Sequence, residues 1–108
     1  MLLTPSQIFE EKIATRLKSY PEKNISATYQ FDVTGNTGGQ WTILLNGDNS
    51  SVSRGTSDTP HCTITIADVD LVNLVEGRLN PQLAFMTGKL KVKGDFGLAL
   101  KLGSLLKV

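Results

Sequence analysis

Cysteine and histidine are nearly absent from this chain, and their scarcity removes most of the common catalytic and metal chemistries. Cys62 and His61 are each alone of their kind among 108 residues. A single cysteine forms no intrachain disulfide and no cysteine metal cluster. One cysteine with one histidine makes no zinc site without added carboxylates. The two are neighbours, and successive side chains of a strand point to opposite faces. They are therefore badly placed as a nucleophile and its base. Cys62 reads as a small core hydrophobe and His61 as an exposed strand residue. An excess of one charge is missing too: the formal net charge is +1. Nucleic-acid binders show a stronger basic excess or a concentrated stripe, so no nucleic-acid partner is expected. No apolar run approaches the ~20 residues of a membrane span. The opening MLLTPSQIFEEKI has neither a basic n-region nor an apolar h-region, which points to a cytoplasmic protein. Thr87-Gly88-Lys89-Leu90 contains a Gly-Lys step but lacks the upstream glycine and following Ser or Thr of a phosphate loop. Asp68 and Asp70 are explained by helix capping and by the preference of a first turn for carboxylates. No catalytic residue, metal or cofactor is expected.

What remains is a well-punctuated globular chain, 40% hydrophobic, of a length that suits one domain over residues 1–108. Thr4, Pro5 and Gln7 spell a capping box with proline at the first helical position. Phe9, Ile13, Leu17 and Tyr20 then recur as an apolar stripe, flanked by Ile8 and Ala14. Pro21 ends that helix. Strict alternation from Ile25 to Val33 predicts a half-buried strand. Trp41–Leu45, the turn signal Asn46-Gly47 and Ser50–Arg54 predict a hairpin whose polar return strand lies at an edge or faces solvent. His61–Ile66 is another strand, with Cys62, Ile64 and Ile66 on one face. Asp68 is placed to cap the next helix, and Gly77 to end it in a left-handed conformation. Asn80-Pro81 starts a short helix closed by Gly88. Lys89–Lys93 alternates, with Leu90 and Val92 inward. Asp95 caps a last helix. The order predicts an α+β fold: a five-stranded mixed, mainly antiparallel sheet with helices over one face. The last strands need helical crossovers, which permits parallel pairing there.

Two features admit a functional reading beside a structural one. Lys89, Lys91 and Lys93 form a lysine face. It is either a solvated edge strand protected from aggregation or a basic patch for an anionic lipid surface or phosphate-bearing head, extended by Arg54, Lys101 and Lys107. The second feature is an aliphatic surplus. Phe96, Leu98, Leu100 and Leu102 alternate and cannot share one narrow helical stripe. They belong to a helix buried on several sides, to a dimer, or to the lining of a ligand cavity. Pattern alone leaves these open.

The residues from Cys62 to Leu102 resemble the sterol carrier protein-2 domain, a non-specific lipid-transfer family. The matching blocks are Cys62-Thr63-Ile64-Thr65-Ile66 with Asp68, Gly77-Arg78-Leu79-Asn80-Pro81, Ala84-Phe85, Gly88-Lys89-Leu90-Lys91, and Gly94 through Gly97-Leu98-Ala99 to Lys101-Leu102. The resemblance implies a five-stranded sheet covered by helices that enclose an apolar tunnel. It implies binding, without chemical change, of fatty acids, fatty acyl-CoA, sterols or phospholipids. Lining candidates on matching elements are Ile13, Leu17, Leu74, Leu79, Phe85, Met86, Leu98, Leu102 and Leu106. Animal peroxisomal members commonly end in a Ser-Lys-Leu-type signal, where this chain reads Leu106-Lys107-Val108, so import through that signal is not expected. The implied partners are a lipid ligand and transient contact with a membrane surface, for a monomer or weak homodimer. The competing reading is a non-catalytic interaction subunit that docks the same apolar surface onto a lipid-metabolising enzyme or onto a second copy.

Overall fold

A computed structural model describes residues 3–18, 26–47 and 49–101, with Leu100 and Lys101 by backbone alone. Thr4 opens the first helix, α1 (residues 5–17). Its hydroxyl accepts from the Gln7 amide at 3.2 Å, and Gln7 Oε1 accepts from the Thr4 amide at 3.0 Å. This reciprocal pair satisfies two N–H groups that the helix start would otherwise leave bare. α1 is α-helical over Pro5–Gln7, widens to a π-helix over Ile8–Ile13 and narrows again over Ala14–Leu17. A π turn holds more residues than an α turn. Ile8 therefore joins Phe9 and Ile13 in full burial instead of flanking them. Tyr20 and Pro21 lie outside the described residues.

The strands are β1 (Ser26–Thr34), β2 (Gly39–Asn46), β3 (Ser51–Arg54), β4 (Cys62–Ala67) and β5 (Leu90–Gly94). Three more helices follow or separate the last of them: α2 (Asp68–Val75), α3 (Pro81–Met86) and α4 (Phe96–Lys101). The sheet order is β3-β2-β1-β4-β5. β1 pairs antiparallel with β2 and parallel with β4, so the sheet is mixed. β5 departs from the parallel pairing that a helical crossover permits and runs antiparallel to β4. Its start, Leu90, lies opposite Ile66, near the end of β4. Two helices carry the chain away from that end and back to it, and the return forces the antiparallel direction.

Alternation decides which side chains meet. Phe31 is in register with Trp41 on one side and Ile64 on the other, and Ile64 with Val92. One inner face thus runs from β3 to β5. α1 closes the β1–β2–β3 half of it. The Phe9 ring stacks on Trp41 at 4.8 Å and tilts against Phe31 at 4.9 Å. Glu10 accepts from Trp41 Nε1 at 3.3 Å and from Arg54 at 2.6 Å, and the Arg54 guanidinium lies 5.1 Å over the Trp41 ring. Those donors, Arg54 first, hold the Glu10 carboxyl below its ordinary value. β3 and β5 are opposite edges, so Arg54 does not extend the lysine face as the sequence suggested. On the outer face Gln30 is buried, because its Oε1 accepts from the Ser57 amide at 2.7 Å where the chain after β3 folds back. Among the described residues no helix is long and apolar enough to cross a membrane.

Phe9 is the wedge of the closed half. Phe9→Ala should lower stability by about 3–5 kcal/mol, read as a fall in the urea midpoint at unchanged slope. A loss under about 1 kcal/mol would show that α1 is held by something other than this ring.

Candidate functional site

Among the described residues, none fills the β4–β5 half of the inner face. A cavity of about 980 Å³ lies between it and helices α2, α3 and α4. Its floor is Phe31, Ile64, Ile66, Leu90 and Val92. Leu71, Leu74 and Val75 of α2 form one wall, and Leu83, Phe85, Met86, Phe96 and Ala99 form the other. That volume is at the upper end for small-molecule pockets, which are apolar with a few placed polar groups. Here the polar lining is gathered in one stretch: Glu76, Arg78, Asn80 and Gln82.

Local sequence builds this cavity. α2 ends in a Schellman turn. Gly77 sits at φ +80, its amide donates to Leu74 O at 3.2 Å, and the Arg78 amide donates to Asn73 O at 2.8 Å. A residue with Cβ is strained at that φ. The turn sends the chain across the cavity mouth to Asn80. The Asn80 side chain accepts from the Gln82 and Leu83 amides at 2.8 and 3.3 Å, and Pro81 follows at the first helical position. α3 is short and leaves Leu83, Phe85 and Met86 exposed, Met86 at 78%. Phe85 meets Phe96 of α4 edge to face at 5.6 Å, so the two rings bridge the helices that flank the mouth. Such a pair contributes ~0.5–1.5 kcal/mol beyond burial.

Two anchors fix the surrounding helices. Asp68 is the first residue of α2, and Ala67 takes the cap position that the sequence suggested for Asp68. One Asp68 oxygen accepts from the Val69 amide at 2.8 Å. The other accepts from the Thr37 amide at 3.1 Å and the Thr37 hydroxyl at 2.8 Å. The carboxylate thereby ties the β1–β2 loop to the cavity wall. At Gly35, φ +106, a Cβ would lie 2.3 Å from Asp68 Oδ1. At the other end, Asp95 accepts from the Leu98 amide at 3.1 Å, and the buried Cys62 thiol donates to Asp95 O at 2.7 Å. Burial pushes the Cys62 thiol up, which keeps it a poor nucleophile. His61 is exposed just before β4 instead of within a strand, and its Nδ1 accepts from the Thr28 amide at 3.0 Å. Among the described residues no three His, Cys, Asp or Glu side chains converge to hold a metal ion.

The SCP-2 sterol transfer family model matches residues 11–107. The chain belongs to the SCP-2 sterol transfer family. It is 42% identical over 86 residues to rabbit (Oryctolagus cuniculus) sterol carrier protein 2, covering 77% of this chain. It spans only 16% of the rabbit protein's length. Among solved structures it resembles the sterol carrier protein domain 2 of Helicoverpa armigera, with 31% identity and a TM-score of 0.75 over 98% of this chain and 91% of that one. It also resembles Aedes aegypti sterol carrier protein-2 in complex with palmitate, a C16 fatty acid, with 25% identity and a TM-score of 0.76 over 98% and 96% of the two chains.

Within this SCP-2 fold the sequence-predicted lining residues separate. Leu74, Leu79, Phe85 and Met86 border the cavity. Ile13 is fully buried in the core and is not among the lining residues. Leu17 instead lines a recess of about 230 Å³ with Ala14, Lys18 and Val52. Leu98 packs against the core, and its carbonyl accepts from the Tyr29 hydroxyl at 2.9 Å. Leu102 and Leu106 lie outside the described residues, as does the side chain of Lys101. Sequence reasoning did not single out the floor, Phe31, Ile64, Ile66, Leu90 and Val92. Their signal was present as the inward half of three alternating strands, but alternation does not tell a packed face from a cavity floor.

Hydrogen bonds from Thr37, with the Val69 amide, hold Asp68 below its ordinary pKa of 3.8. A carboxyl depressed in the folded state stabilises fully above its unfolded value and loses that contribution as pH falls through the folded value. Asp68→Ala should therefore lower the thermal midpoint at pH 7, and the gap from the parent should shrink as pH drops below 3.8. A gap that stays constant into acid would assign the effect to packing instead of charge.

Proposed function

We propose that this chain is a lipid-binding and lipid-transfer domain that holds a long-chain lipid in the cavity under α2, α3 and α4. The carrying observation is the cavity: about 980 Å³, floored by strand aliphatics, with its polar residues confined to one stretch. Membership of the family and the fold shared with a palmitate-bound mosquito protein support the reading. Leu74, Leu79, Phe85 and Met86 are the lining residues we carry forward from the sequence, joined by Ile64, Ile66, Leu90 and Val92. Apolar walls bind by removing alkyl chain from water, at about 0.8 kcal/mol per buried methylene. Chain length then governs affinity, and selectivity among lipids of similar length is broad. The bound lipid leaves chemically unchanged. Fatty acids, acyl-CoA, sterols and phospholipids are the candidate ligand classes.

Transfer also needs a route out. Leu83, Phe85, Met86 and Phe96 are exposed at the cavity mouth. We propose that this rim makes the transient contact with a lipid surface through which ligand enters and leaves. The exposed lysines of β5 lie on the outer face of that same sheet edge, where an anionic headgroup layer would attract them.

Native mass spectrometry of fresh protein, followed by solvent extraction, should find a long-chain lipid. A fluorescent fatty acid should bind the apo form, and Phe85→Asp should weaken it by at least about tenfold, since a carboxylate at the mouth is unpaired against alkyl chain. Full affinity in a folded Phe85→Asp variant would remove the α3–α4 mouth from the binding site. Failure of the parent chain to take up any lipid would overturn the carrier reading.

A further inference from the structure

The polar stretch at the mouth is asymmetric, and the asymmetry bears on which lipid head the cavity takes. Arg78 donates through Nε to Asn73 Oδ1 at 3.3 Å and through Nη2 to Glu76 Oε1. A guanidinium has five N–H donors, and among the described residues Nη1 has no acceptor. The Arg78 side chain is 58% exposed while the Glu76 side chain is 30% exposed. The carboxylate is thus the more covered partner, already occupied by the arginine, and the open donors belong to the cation. Asn80 Oδ1 is spent on the start of α3, so it offers no free acceptor to a hydroxyl head. The Schellman turn at Gly77 holds the backbone from which Arg78 projects.

We propose that Arg78 is the head-group site of the cavity, accepting the carboxylate of a fatty acid whose chain lies over Ile64, Ile66 and Val92, with Glu76 as the tether that holds the guanidinium in place when the site is free. The inference rests on the lipid-carrier reading and narrows it from lipids in general to anionic amphiphiles. Nη1 donates to the incoming carboxylate, giving the charge-assisted bond for which a planar guanidinium is suited. Glu76 holds the same cation through Nη2, so it weakens the field an anion meets at Nη1 without occupying that donor, and a neutral alcohol head, with no charge to pair, gains less.

The test compares two probes of one chain length, palmitate and hexadecanol, each displacing an uncharged fluorescent alkyl probe from the full chain. Arg78→Gln should weaken palmitate by about tenfold, the scale of one charge-assisted hydrogen bond, and leave hexadecanol unchanged. Glu76→Gln should strengthen palmitate and leave hexadecanol unchanged. Equal loss for both probes in Arg78→Gln would overturn the head-group role, because it would show the arginine merely supporting the wall. No change for either probe would also overturn it. Binding of neither probe by the parent chain would instead overturn the carrier reading on which the proposal stands.

Discussion

The ring of Phe9 lies between Trp41 and Phe31, and the asymmetry of the whole molecule follows from that contact. It brings α1 down on the β1–β2–β3 half of the sheet and fills that half with aromatic area. Phe31 is shared: it is both the last ring of the packed half and the first residue of the cavity floor. Beyond it, among the described residues, the inner face is covered by α2, α3 and α4, and the described parts of α3 and α4 are six residues each. Atoms beside a void lose dispersion partners. The cavity is tolerable because the packed half supplies the stability that the open half forgoes.

The open half is held by polar anchors at its borders more than by packing at its centre. Asp68 ties α2 to the β1–β2 loop, Asn80 fixes the start of α3, and Asp95 ties α4 to β4 through the Cys62 thiol. Side chains toward the mouth are left exposed. The covering is thus fixed at its borders and sparse at its centre.

Much of this was legible in the amino-acid order. Strand alternation, the capping box at Thr4, the Asn80-Pro81 start and the left-handed Gly77 each rest on local chemistry and appear where local chemistry puts them. The direction of β5 was less legible, because a helical connection says how far the chain travels but not whether it returns to the end it left. The site was half legible. Leu74, Phe85 and Met86 sit on helices, and Leu79 on the connection between them, in stretches that the sequence marks as over-apolar. Ile13 and Leu17 carry an equally apolar stripe, yet a stripe does not encode which half of a sheet it will meet, and theirs meets the filled one. Arg78 entered the sequence reading only as part of the block Gly77–Pro81, because its two partners are set by the turn that follows α2.

The parallel ladder between β1 and β4 has a further meaning. Within the sheet of the described residues it alone joins the two halves, from Tyr29 opposite Cys62 to Thr34 opposite Ala67. Every amide of β5 is therefore reached through β4, and β4 through β1. Separation of β5 from β4 breaks no hydrogen bond of the β1–β2 ladder, so the edge strand can open without undoing the packed half. The strands that floor the cavity thus meet the aromatic half of the sheet through a single ladder, and disturbance of one need not reach the other.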